Sequence, residues 1–270
     1  MSSLLEYCCA KSLRALESLF SNPSVGVRRS NLSPRTVVES IPSRLRLSFN
    51  IEGIDGLFPG FSLGSFAVLH GLPAVLPLSM LLCVRAQLPY QLGGLESNVV
   101  FVDGGNTFRL YDVSKIAQLH ELDPRGVLER IFISRAFTAY QMTSLMFDKV
   151  QEAIEERDSK LVIVSDVAGL YLDKDVPERE ARDVFSQLTV HLSKFAKENH
   201  VVVVATYLPH CPSKRNIFFK AAVCGRANVV ASIKPSKYGQ QFVLEKHRFF
   251  NLGNARFPSE NLTLTEFMEA

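Results

Sequence analysis

Short apolar runs alternate with stretches of helical periodicity along most of this chain. Residues 65–70, 98–102, 130–134, 161–165 and 201–206 have strand length, are rich in Val and Ile, and are mostly apolar at consecutive positions rather than at every second one. A strand wetted on one face alternates, whereas one buried on both faces reads as a continuous run, so these five predict a parallel sheet covered on both sides. The covering elements follow from a different period. Residues 139–157 put Met142, Leu145, Met146, Val150, Ala153 and Ile154 on one helical face, and residues 178–199 do the same with Ala181, Val184, Phe185, Leu188, Leu192 and Phe195. Strand and helix in alternation predict an α/β fold, a mostly parallel sheet flanked by helices. Runs at 228–233 and 240–244, joined across Lys237-Tyr238-Gly239, predict a hairpin, so the sheet is expected to end in antiparallel strands.

Ahead of this pattern, residues 4–20 read as a short helix with Leu4, Leu5, Cys8, Leu13, Leu16, Leu19 and Phe20 on a broad face. Asn22-Pro23, Gly26, Pro34 and Pro42 then punctuate a Ser- and Arg-rich connector. The expected organisation is an N-terminal helix and basic linker over 1–47 and a single core domain over 48–270.

Composition narrows the class. With 270 residues, 47% hydrophobic and 21% charged, the chain can bury a full core. It has neither an apolar stretch long enough to span a membrane nor the order of a secretory signal, which predicts a protein without a membrane partner, cytoplasmic or, in a eukaryote, nuclear. The five cysteines lack metal-ligand spacing, so idle thiols and no metal are expected. Net charge is only +3, but residues 205–248 carry eight Lys/Arg against Glu245 alone, and residues 1–50 carry seven against three acids. Two basic regions are compatible with a nucleic-acid partner.

In a parallel α/β protein the first strand often delivers the chain to a phosphate held at the next helix N-terminus. A working phosphate loop reads G-x-x-x-x-G-K-S/T, with Lys on the phosphates and the hydroxyl on magnesium. Counting from Gly71 places Leu76 at the second Gly, Pro77 at the Lys and Leu78 at the Ser/Thr; sliding by one to use Ser79 puts Leu78 at the Lys. No register restores the motif, and Pro73 and Pro77 remove backbone donors.

The approach from Ile51 to Ser65, through Asp55-Gly56-Leu57-Phe58-Pro59-Gly60, resembles the lead-in to the phosphate loop of the RecA/RadA-type recombinase family and of KaiC-like proteins. Phe101-Val102-Asp103-Gly104-Gly105-Asn106-Thr107-Phe108-Arg109 is similar to that family's strand-end motif, and Leu122-Asp123-Pro124, Val127-Leu128 and Ile131 to Phe137 to its next block. The resemblance covers about residues 48–260 and implies a RecA-like core with degenerate nucleotide-site motifs. The water-activating glutamate of the family falls on Gly105. The second acid falls on Ser165, with Asp166 one residue late and therefore expected to point away from the phosphate site unless the strand ends early or bulges. Tyr207-Leu208 replace the family's polar sensor pair. Together these departures predict a pseudo-ATPase with no catalytic residues, no cofactor and no metal.

The resemblance also places the family's second DNA-binding loop at about residues 209–225. Lys214, Arg215, Lys220 and Arg226 are its candidate phosphate contacts, and Phe218 and Phe219 its candidate stacking surfaces. The alternative reading is that these phenylalanines plug the core and the cations solvate a loop. Asp103 and Asp166 read as strand-end residues satisfying backbone donors rather than as a metal pair, and His247, between Lys246 and Arg248, reads as structural. The leading expectation is an inactive paralogue acting in DNA recombination or repair, with single-stranded DNA and a catalytically active recombinase as partners. The alternatives are an atypical ATP-binding protein or ATPase and a protein–protein scaffold without DNA binding.

Overall fold

A computed structural model describes residues 45–237 and 239–257; the helix expected at 4–20 and most of the connector lie outside the described residues. Eight strands form one sheet: β3 (Phe66–Gly71), β4 (Asn98–Asp103), β5 (Ile131–Arg135), β6 (Ser159–Ser165), β7 (Val202–Tyr207), β8 (Val229–Ser236), β9 (Gly239–Lys246) and β10 (Gly253–Phe257). Their spatial order is β10-β9-β8-β3-β7-β6-β4-β5. The strands from β8 to β5 run parallel, while β9 is antiparallel to both β8 and β10. Each strand expected from the apolar runs is present within about three residues of its predicted ends, and the terminal antiparallel part is as expected, extended by β10. A small ribbon pairs β1 (Arg46–Leu47) with β2 (Phe61–Ser62), and Leu47 is already buried in the core.

The two sheet faces carry separate apolar layers. On one lie α1 (Glu52–Leu57), α2 (Val75–Arg85), α3 (Leu110–Leu119) and α4 (Pro124–Glu129). On the other lie α5 (Ala139–Ser144), continued through a π-helical turn at Leu145–Lys149 into α6 (Val150–Glu156), then α7 (Glu178–Glu198) and α8 (Lys214–Arg226). Every residue of α2 is buried, which matches a helix that is apolar all round apart from Ser79 and the terminal Arg85.

The segments carrying the family resemblance have local structural causes. Asp123 caps α4 by accepting from the N–H groups of Arg125 and Gly126, with Pro124 in the first turn, where its missing N–H costs nothing. Phe108 sits edge-on to Phe101, 5.1 Å between ring centroids, and so anchors the segment that follows β4.

Gly71 ends β3 at φ +108, a conformation that side chains rarely tolerate, and a Cβ there would collide with the Ile233 carbonyl of β8. Gly71→Ala is expected to cost about 1–3 kcal/mol, seen as a lower urea midpoint with an unchanged slope. An unshifted midpoint would show that the two strands can separate there without cost.

Candidate functional site at the carboxyl ends of the strands

The turn after β3 is closed by its own hydrogen bonds. The Leu72 N–H is donated to the Ile233 carbonyl at 2.9 Å, the Val75 N–H to Leu72 O at 3.1 Å and the Leu76 N–H to Pro73 O at 3.0 Å. Pro77 has no N–H to offer. Val75, Leu76 and Leu78 are buried in the core, and the Ser79 hydroxyl donates back to Leu76 O at 2.7 Å. The groups that would cradle a triphosphate with its magnesium in a phosphate loop are thus absent from the matching positions or already spent, and the residues present do not fit that ligand here.

The ends of β4, β6 and β7 are joined by a buried polar network. Asp103 is fully buried; one carboxylate oxygen accepts from the Thr107 N–H (2.8 Å) and hydroxyl (3.2 Å), the other from the Phe108 N–H (3.2 Å) and the Arg135 guanidinium (3.4 Å). Asp103 therefore anchors the backbone that follows it, as its strand-end position suggests. The Thr107 hydroxyl contacts the Ser165 hydroxyl, which lies 3.3 Å from that of Thr206.

Asp166 differs from the alternating-strand expectation because β6 stops at Ser165. Its backbone turns into the left-handed region at φ +49, and its N–H is held by the Thr206 hydroxyl at 2.9 Å. The carboxylate is thereby aimed across the strand ends, where Oδ1 meets His210 Nε2 at 2.7 Å. A Cβ on Gly105 would come within 2.8 Å of the Asp166 Cβ, and one on Gly169 would overlap the carboxylate itself. The Asp166 side chain thus crowds the place where a side chain at 105 would begin. The hydrogen bond that His210 donates to the Asp166 carboxylate raises the His210 pKa against the opposing effect of burial, so the pair favours a charged imidazolium.

A cleft of about 370 Å³ opens between the ends of β3, β7 and β8 under α8, with His70, Tyr207, His210, Asn216, Lys220 and Lys234 in its wall. Glu245 of β9 holds three of its lining residues from outside the cleft, accepting from His70 Nε2 (2.8 Å), the Ser232 hydroxyl (2.8 Å) and Lys234 Nζ (2.6 Å). Burial alone would raise the Glu245 pKa, but these donors outweigh it and hold the carboxylate at about 2. Burial lowers the His70 pKa against the opposing hydrogen bond and charge of Glu245. The Tyr207 hydroxyl donates to Asn216, whose side-chain amide donates to the carbonyls of His210 (3.2 Å) and Cys211 (3.1 Å). The short segment between β7 and α8 is therefore tied down at several points.

The DNA-contact candidates divide. The basic segment expected as a loop is mostly the helix α8, whose start is capped by the Ser213 hydroxyl accepting from the Asn216 N–H. Lys214, Lys220 and Arg226 lie on its exposed side, whereas Arg215 is half-buried with Nη1 on Val176 O and its guanidinium over Phe219. Phe219 is fully buried against Phe185, 4.4 Å between centroids, so it is a core residue; this corrects its reading as a base-stacking surface. Phe218 is half-buried beneath the Arg182 guanidinium. His247 accepts at Nδ1 from the N–H groups of Phe249 and Phe250 and stacks on Phe250, a turn-forming role.

His70, His210 and Glu245 were not singled out from the sequence. His70 and Glu245 are 175 positions apart, and only strand pairing brings them together. A polar residue interrupting an otherwise apolar run, as His70 does, was the one available signal.

Two outcomes follow. Phe219→Ala is expected to lose about 3–5 kcal/mol of stability by urea titration, while Lys214→Ala should stay within about 0.5 kcal/mol. Because the folded chain holds the His210 proton more tightly than the unfolded one, the pair's contribution is full below pH 6.5 and fades as pH rises through the elevated folded value. Thermal melts across that range should therefore show wild type losing stability relative to Asp166→Asn as pH rises; parallel curves would remove the linkage.

Comparison with known proteins agrees with this geometry. The Rad51 family model matches residues 64–221, more than half of the chain. Meiotic recombination protein DMC1 of Saccharomyces cerevisiae is 30% identical over 134 residues, 48% of this chain and 39% of that protein. DNA repair and recombination protein RadA of Cenarchaeum symbiosum is 32% identical over 90 residues, 33% of this chain and 22% of that protein. The aligned part thus spans less than two-fifths of the length of either relative. A match of this extent, on a mostly parallel eight-stranded sheet covered on both faces, makes the chain a member of the Rad51 family of RecA/RadA-type recombinases.

Proposed function

We propose that this chain is a catalytically inactive Rad51-family paralogue that acts in DNA recombination or repair by contacting single-stranded DNA, a catalytically active recombinase, or both. The observation that carries the reading is the closed turn after β3, where Pro77 stands at the lysine position and the N–H groups of Leu72, Val75 and Leu76 are spent on protein carbonyls. Phosphoryl transfer depends on charge neutralisation and positioning by those groups. Gly105 adds to it, since it supplies no carboxylate where the family has its water-activating glutamate, and Asp166 crowds the space. The relatives are named for recombination and repair, and the exposed cations Lys214, Lys220 and Arg226 of α8 supply an electrostatic footprint for a phosphate backbone. The chain is accordingly read as an intracellular protein, nuclear in a eukaryote; no described helix is long and apolar enough to cross a membrane.

A scaffold role without DNA is supported by Tyr111, Phe137 and Tyr140, aromatic side chains that are more than half exposed. The purified chain should hydrolyse no ATP above a no-protein control and show no thermal stabilisation by millimolar Mg-ATP. It should bind oligothymidylate with an affinity that falls steeply with salt and drops at least about tenfold on combined charge reversal of Lys214, Lys220 and Arg226. ATP turnover, or stabilisation by ATP, would overturn the inactive reading in favour of an atypical ATPase or nucleotide sensor. Recovery of an active recombinase with the chain, without measurable DNA binding, would select the scaffold.

A further inference from the structure

We propose that the cleft at the end of α2, with the Arg85 guanidinium in its wall, is a binding site for a small oxyanion, either free phosphate or the phosphate group of a small phosphomonoester. The proposal is independent of the DNA-contact reading above, because its residues lie at the other end of the sheet.

Three chain segments build the site. α2 leaves the carboxyl end of β3 and returns to the amino end of β4, so its last residue, Arg85, lies at the end opposite the closed turn. Ser48 and Asn50 approach from the connection between β1 and α1, and Gln91 from the turn at Tyr90–Leu92. The Ser48 N–H is donated to Gly93 O at 3.0 Å. Gly93 adopts φ +74, and a Cβ there would overlap the Ser48 hydroxyl and meet Arg85 Nη2. The cleft that results has a volume of about 460 Å³, with Ser48, Asn50, Arg85, Gln91 and His120 as its polar lining and no carboxylate. That volume is within the range of small-molecule sites.

Arg85 is only 3% exposed. Its Nε donates to Ser48 O at 3.3 Å, and its Nη2 to the Ser48 hydroxyl at 3.0 Å and to Leu92 O. All three acceptors are neutral. Among the described residues Nη1 donates to nothing and the guanidinium forms no ion pair. Burial lowers the Arg85 pKa, and the charge of Asp55 opposes that from beyond ion-pair distance. A buried cation is costly unless an opposite charge pairs with it. A brace between Ser48 and Leu92 needs only Nε and Nη2, which leaves the two N–H groups of Nη1 for an anion. The charge also reaches the His120 wall of the cleft, where burial lowers the imidazole pKa and Arg85 adds to the effect. Donors from three segments around one space suit a tetrahedral oxyanion better than a planar carboxylate.

The test uses the whole chain, with inorganic phosphate and glycerol 3-phosphate as probes and chloride at matched ionic strength as the reference, read by thermal shift and isothermal titration. Phosphate should raise the melting temperature of wild type above its value in chloride. Arg85→Lys keeps the charge but loses the planar fork, and should weaken binding about tenfold. Gln91→Glu and Asn50→Asp change exposed residues of the cleft wall, and aspartate tolerates the φ of 57 at position 50. Each should melt as wild type in chloride yet bind phosphate up to about fivefold more weakly. Gln187→Glu, exposed on α7 away from the cleft, controls for the added charge. Tighter binding of glycerol 3-phosphate than of phosphate assigns the site to a phosphorylated small molecule; equal binding assigns it to free phosphate. Binding of neither probe overturns the proposal, as does equal weakening by Gln91→Glu and Gln187→Glu.

Discussion

The carbonyl of Ile233 and the backbone at Gly71 approach so closely that no side chain fits between them, and the functional edge of the sheet is organised around that contact. It joins β3 to β8, takes the Leu72 N–H, and starts α2 at once rather than after a wide anion-binding loop. With its first turn closed, α2 is free to bury all its residues, which is why a helix as apolar as this one is stable there. A phosphate loop asks the backbone to hold its N–H groups outward, unsatisfied until ligand arrives. Here the N–H groups of Leu72, Val75 and Leu76 are given to protein carbonyls.

The strand ends beside it follow the same logic with carboxylates. Asp103 retains a buried acid but directs it to the N–H groups of Thr107 and Phe108 and to Arg135, making it an anchor for the chain leaving β4. Asp166 is displaced by one residue, and the left-handed turn at the end of β6 re-aims it towards His210. Glycine at 105 and at 169 leaves room for that side chain. Gly105, seen alone as a lost carboxylate, is in space part of the accommodation of another one.

On the opposite face, packing decides what the basic segment after β7 can be. Phe219 and Val223 belong to the apolar layer shared with α7, so this stretch must be helical to place them there. Its cations are then sorted by helix geometry. Lys214, Lys220 and Arg226 face outward, while Arg215 lies against Phe219 and Val176. With the Asn216 and His210 ties, the short segment before α8 is a braced strut, and the cleft it borders is correspondingly well defined.

Much of the fold was legible in the amino-acid order because its causes are local. Continuous Val- and Ile-rich runs mark strands covered on both faces, the helical period at 139–157 and 178–199 marks their covers, and the missing lysine and hydroxyl after Gly71 need only counting. The sites were less legible, since they join residues far apart in sequence. Whether Phe219 faces solvent or core depends on where α7 packs, and whether Asp166 points towards or away from the strand ends depends on one backbone turn. The pairing of His70 with Glu245 depends on a register between strands 175 positions apart. Periodicity reports which face of an element is apolar; only the tertiary contacts decide what that face meets.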